Sequence, residues 1–111
     1  VHSKEEKEYI RRVNYGRVMF ARKMYTSALR EFNTAARMVP RPLEALVGLG
    51  YVHLARKEWG KAEKAFAKAL KINKDSDRAL AGLGIALFRQ GRTAKAMPIL
   101  ENALISENPS I

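Results

Sequence analysis

Sliding this sequence against itself by 34 residues brings it into register with itself without a single gap. Gly16 meets Gly50 and Gly84, Ala28 meets Ala62 and Ala96, and Ala35 meets Ala69 and Ala103. Phe32 meets Phe66 and then Leu100. Between the second and third copies the match extends to ALVGLG (Ala45–Gly50) against ALAGLG (Ala79–Gly84). A fixed period of this length means one small structural unit stacked on copies of itself, each burying its apolar side only against its neighbours.

Within each unit the apolar residues recur at helical spacing, and punctuation divides the unit in two. VPRPLE halts one helix because the residue before a proline leaves the helical region. Pro42 can then open the next. NKDSD offers Ser76 or Asp75 as a helix cap, while QGRT supplies Gly91 as a stop and Thr93 as a start. The expected helices run over about 8–23, 26–38, 43–57, 60–72, 77–90 and 94–105. Pro98 falls in the early turns of the last, where a moderate bend is expected.

A 34-residue helix–turn–helix with small residues at fixed places resembles the tetratricopeptide repeat (TPR) family. The matching positions are Tyr15/Leu49/Leu83, Gly16/Gly50/Gly84, Ala28/Ala62/Ala96, Phe32/Phe66/Leu100, Ala35/Ala69/Ala103 and Pro40. Lys74 and Asn108 depart from the family's proline, and Met19 and His53 stand where an aromatic is common. The resemblance implies an all-α, right-handed α-solenoid of three repeats, built from about six antiparallel helices. Its units are 9–42, 43–76 and 77–111, behind a charged lead-in over 1–8.

Glycines inside helices need a reason, since each costs about 0.5–1 kcal/mol relative to alanine. Gly16, Gly50 and Gly84 are expected where the two helices of a pair cross, against Ala28, Ala62 and Ala96. Gly48 and Gly82 fall by helical phase on the concave wall, either leaving room for a ligand or as tolerated drift.

The chain carries 21 Lys and Arg against 11 Asp and Glu, a net charge of +10. That balance implies acidic partners or surfaces. The excess is largest toward the N-terminus, with ten cations against four acids in residues 1–42. With no cysteine, disulfides, thiolate zinc sites and cysteine nucleophiles are excluded, and a reducing, cytoplasmic location is expected. No apolar run approaches the 18–20 residues that span a bilayer, and the charged N-terminus is not a signal peptide. A start other than Met, and an ending just after the last helix, are expected of a segment of a longer array.

No catalytic constellation emerges, so an enzyme is not expected, and no cofactor or metal is implied. His2 and His53 share no ligand spacing, and His53 is expected to pack at a core edge. GLGYVHL lacks the third glycine and the preceding strand of a dinucleotide loop.

Two surfaces remain. In the family, positions facing the concave groove correspond here to Ile10, Val13, Asn14, Arg17 and Phe20, then Glu44, Val47, Gly48, Tyr51 and Leu54, then Arg78, Ile85, Phe88 and Arg89. This lining suits a partner segment with an apolar face and acidic groups, because arginine grips carboxylates with paired hydrogen bonds. Packing against a further repeat or a terminal helix would account for the same residues. One subclass of the family clamps a C-terminal carboxylate with Lys and Asn side chains. Val13, Gly48 and Gly82 occupy three of those positions, so that ligand is not expected here.

The second surface is convex. Lys61, Lys64, Lys68 and Lys71 form one stripe along a helix, continued sideways by Arg30 and Arg37. A solvated outer face accounts for it. The alternative is contact with acidic protein, anionic membrane or nucleic acid, although the stripe lacks the aromatics of RNA recognition. A third reading is self-association through uncapped ends at Met97, Leu104 and Ile105. The expected function is a scaffold that holds a protein segment in its groove and assembles a larger complex.

Overall fold

The computed structural model describes residues 3–107, which form six helices. These are α1 (Lys4–Ala21), α2 (Tyr25–Ala36), α3 (Leu43–Ala55), α4 (Trp59–Ile72), α5 (Asp77–Arg89) and α6 (Thr93–Glu107). Each odd helix pairs with the even helix after it, and each pair packs on the next. The odd helices also touch one another along one side, α1 on α3 and α3 on α5, whereas α2 and α4 do not meet. Odd helices therefore make the inner layer and even helices the outer layer of a curved stack measuring 42 × 30 × 21 Å.

Helix ends follow local chemistry. α1 starts earlier than its repeat, inside the expected lead-in, because Ser3 and Glu6 form a reciprocal capping box. Ser76 caps α5 by accepting the Ala79 N–H. α6 runs unbroken through Pro98, its sixth residue, which removes one backbone donor close to the helix start. The three inner helices stop in the same way. After α5, the Gly91 and Arg92 N–H groups bond to the Phe88 and Leu87 carbonyls, with Gly91 left-handed at φ 80°. After α1 and α3 the same turn is made by Lys23 and Lys57, both at φ 61°. This is the Schellman stop, and only one of its three copies uses the residue that adopts it without strain.

The core explains the glycines, and it corrects two expectations. Phe32 of α2 is 2% exposed and lies between Gly16 of its own repeat and Gly48 of the next. A Cβ on either glycine would sit 2.6 Å from the ring. Phe66 of α4 does the same between Gly50 and Gly82, and Leu100 of α6 abuts Gly84. Gly48 and Gly82 therefore do not hold space open for a ligand, because a ring from the preceding repeat already fills it. Likewise the nearest side chains to Gly16, Gly50 and Gly84 are these large residues, not Ala28, Ala62 and Ala96. Those alanines are fully buried and form the small-residue core of the outer helices. In the first two repeats one phenylalanine thus locks its own pair and the junction to the following pair, while Leu100 locks its own pair.

A second junction device was invisible in the sequence. Pro42 precedes α3 and offers no side-chain cap. Tyr9 supplies one from 36 positions before Ala45: its hydroxyl accepts the Ala45 N–H at 3.2 Å and donates to Glu44 Oε2 at 3.1 Å. Burial pushes the Tyr9 phenol up to about 12, and the neighbouring Glu44 carboxylate adds to the effect. On the other side of the same turn, Arg41 Nη2 donates to the Ile72 carbonyl at the end of α4, 2.8 Å away. The inter-repeat turn is so tied to both neighbours.

Candidate functional site

The concave wall is made by α1, α3 and α5, and two clefts open along it. The larger, of about 510 Å³, opens between α1 and the turn leading into α3. Its apolar wall comes from Tyr9, Ile10, Val13, Val39 and Pro40. Charge of both signs rims it: Arg17 and Arg41, with Glu6 and Glu44. The smaller, of about 160 Å³, lies deeper along the wall between α1, α3 and the start of α5. Phe32 and Gly48 form its floor, with Phe20, Tyr51 and Arg78 around it. Arg17 and Glu44 line both clefts and join them into one trough.

Tyr51 is fixed rather than free to swing. Its hydroxyl donates to the Arg78 carbonyl at 2.7 Å, and its ring stands edge-on to Phe66 with centroids 5.0 Å apart. The Arg78 guanidinium lies 5.5 Å from the Tyr51 ring centre. Phe20 leans on Tyr25 of the outer layer, with centroids 5.7 Å apart. A preformed wall of this kind loses little side-chain entropy on binding.

Of the groove residues expected from the sequence, Val13, Asn14, Arg17, Phe20, Tyr51 and Arg78 are brought together around this trough. Ile85 and Phe88 are exposed farther along α5, at 39% and 52%, and line neither cleft. Leu54 is half-buried against the core of the second repeat. Two expectations are corrected. Val47 is 3% exposed, belongs to that core and lines neither cleft, whereas its counterpart Val13, also nearly buried at 4%, borders the larger cleft. Arg89 turns onto the Trp59 ring of α4, 5.6 Å from its centre, so a cation–π contact draws it toward the outer helix. Tyr9, Val39, Pro40 and Arg41 were missed. The proline-rich turn signalled the last three, as a helix stop rather than a wall, and no local signal marked Tyr9.

Outside the trough, His53 does pack at a core edge, and it also makes a polar contact. Its Nδ1 donates to Glu58 Oε1 at 2.9 Å, since a carboxylate only accepts. This hydrogen bond, with Arg56 and Lys61 nearby, holds the Glu58 carboxyl below its usual range. Glu63 is lowered likewise, first by the Gln90 amide and then by Arg92. On the convex side Arg30, Arg37, Lys61, Lys64, Lys68 and Lys71 are all exposed. Among the described residues no group of His and acidic side chains could hold a metal, and no helix is long and apolar enough to cross a membrane.

Two family models described as tetratricopeptide repeat match the sequence, one over residues 19–77 and one over 53–110. The chain belongs to the tetratricopeptide repeat family. Its six helices are three such repeats, as the 34-residue period implied. Among solved structures it is similar to the second TPR domain of Spaghetti (RPAP3), bound to the HSP90 peptide SRMEEVD. The TM-score is 0.86 at 17% identity, over 91% of this chain and 95% of that one. It is also similar to MamA, with a TM-score of 0.80 at 24% identity, over 96% of this chain. This TPR chain spans 60% of the length of that MamA chain. At these identities the likeness is one of fold. No curated protein matches the sequence.

Proposed function

We propose that this TPR chain is a protein-interaction scaffold that holds a partner segment in the trough between α1, α3 and α5. The observation that carries the reading is the joining of the two clefts through Arg17 and Glu44. An apolar side chain of the partner seats against Ile10, Val13 and Val39. A second reaches the Phe20–Tyr51 cleft, and an acidic group between them meets Arg17. Because Val13 and Gly48 stand where a carboxylate clamp would need polar groups, the ligand is an internal amphipathic segment rather than a free C-terminus. A domain of this fold carries a bound peptide in the Spaghetti structure, which supports a peptide as the class of ligand.

The test is a peptide display screen on the immobilised 111-residue chain, followed by calorimetric titration of the enriched peptides. Ile10→Asp and Tyr51→Ala should each weaken binding by tenfold or more, in line with about 1–3 kcal/mol for a buried anchor. Peptides indifferent to both substitutions would refute the trough as the site.

A further inference from the structure

The outer face carries positive charge that the chain does not neutralise. Within α2 and α4 the acidic residues are Glu31 and Glu63, and both point to neighbouring inner helices or their ends. Glu31 pairs with Arg12 at 3.0 Å, and Glu63 with Arg92 at 3.1 Å. Arg30, Arg37, Lys64, Lys68 and Lys71 consequently have no ion pair among the described residues, and Lys61 reaches Glu58 only at 3.9 Å. The four lysines recur at helical spacing, so they line one side of α4 over about 15 Å.

What lies beside this stripe narrows the partner. The 34-residue register carries the same face onto α6, where Lys95 keeps the charge of Lys61 but Pro98, Asn102 and Ile105 take the places of Lys64, Lys68 and Lys71. Ile105 is 57% exposed. The convex face therefore grades from a cationic band to an aliphatic edge. Nucleic-acid surfaces interleave cations with aromatic rings for base stacking, and the stripe carries none. A cationic band with an exposed aliphatic edge instead matches the headgroup and upper acyl layers of an anionic bilayer.

We propose that this convex face docks peripherally on an anionic lipid surface, with the lysines and arginines over the headgroups and Ile105 at the acyl boundary. The site is on the opposite side of the stack from the trough and does not depend on the trough's ligand.

The experiment is co-sedimentation of the 111-residue chain with phosphatidylcholine vesicles, with and without about 30% phosphatidylserine. Binding is expected only to the anionic vesicles, falling steeply as salt rises from about 0.1 M to about 0.5 M. The Lys64→Gln/Lys68→Gln/Lys71→Gln variant should partition about 100-fold more weakly, and Ile105→Ser about tenfold more weakly. Arg30→Gln/Arg37→Gln is a second charge-removing variant, and circular dichroism identifies any variant that is not folded. No binding to anionic vesicles at the lower salt would overturn the proposal. So would undiminished binding by the folded charge variants, or tighter binding to a random-sequence duplex or an acidic polypeptide than to the vesicles.

Discussion

Replacing Gly48 with alanine adds one methyl group to a helix whose backbone would gain from it. Alanine is favoured over glycine inside a helix by about 0.5–1 kcal/mol. At this position the new Cβ would lie 2.6 Å from two atoms of the Phe32 ring. Ordinary contact requires the ring to withdraw by about 0.8 Å. It has nowhere to go, because the same ring is wedged against Gly16 at the same distance and is 2% exposed. Overpacking of this kind costs about 1–3 kcal/mol, so after the helix gain the net loss falls between about 0 and 2.5 kcal/mol, centred on about 1.3 kcal/mol. For a domain of this size that lowers the Tm by about 5–10 °C.

Gly60→Ala is the matched control: it is also helical, but a Cβ there meets nothing within 4 Å. That substitution should be neutral or raise stability by about 0.5 kcal/mol. Thermal melts by circular dichroism compare the two. Phe32→Leu should recover part of the Gly48→Ala loss, since Leu100 fills the corresponding place in the third repeat, and the double-mutant cycle should show coupling of about 1 kcal/mol. If Gly48→Ala melts with or above Gly60→Ala, the ring does not occupy that space and the account of the repeat junction is wrong.

Tyr9→Phe should destabilise by about 1–2 kcal/mol, because the buried Ala45 N–H loses the hydroxyl that caps α3. The Tyr9 phenol is raised in the fold, so its contribution is intact below pH 10 and is lost as pH rises toward about 12, measurable by alkaline melts of the two proteins. Lys23→Gly and Lys57→Gly should each stabilise by about 1 kcal/mol, since both residues hold a left-handed conformation at φ 61°; a drop in denaturation midpoint would contradict this. Glu58 and Glu63 are held below the usual carboxylate range, so their contribution is present above that range and lost as pH falls through the lowered values. Glu63→Gln should accordingly flatten the acid limb of the stability curve, and an unchanged limb would remove Glu63 from that account.

The helical repeat, its period and most helix ends were legible in the sequence because they depend on neighbours within a few residues. Ser76, Gly91 and the VPRPLE stop each act within one turn of chain. The period then fixed the fold, since a helix pair with an apolar side must stack on its copies to bury it. Destinations of individual side chains were another matter. Helical phase put Val47 and Gly48 on the concave wall; Gly48 does floor the smaller cleft there, but Phe32 from the repeat before fills the place of its Cβ, and Val47 is sealed in the core. Arg89 has the phase of a groove residue, but the Trp59 ring 30 positions earlier draws it outward. Nothing local marks Tyr9 as a cap, because the N-terminus of α3 that its hydroxyl serves reaches it only in the folded stack. The deciding partners of Gly48, Arg89 and Ala45 lie 16, 30 and 36 positions away along the chain, half a repeat to a whole one. Sequence alone determined which residues are periodic and so which face each helix buries. Only the tertiary stack decided which neighbour reaches each position first, because that depends on how closely the glycines let successive repeats approach.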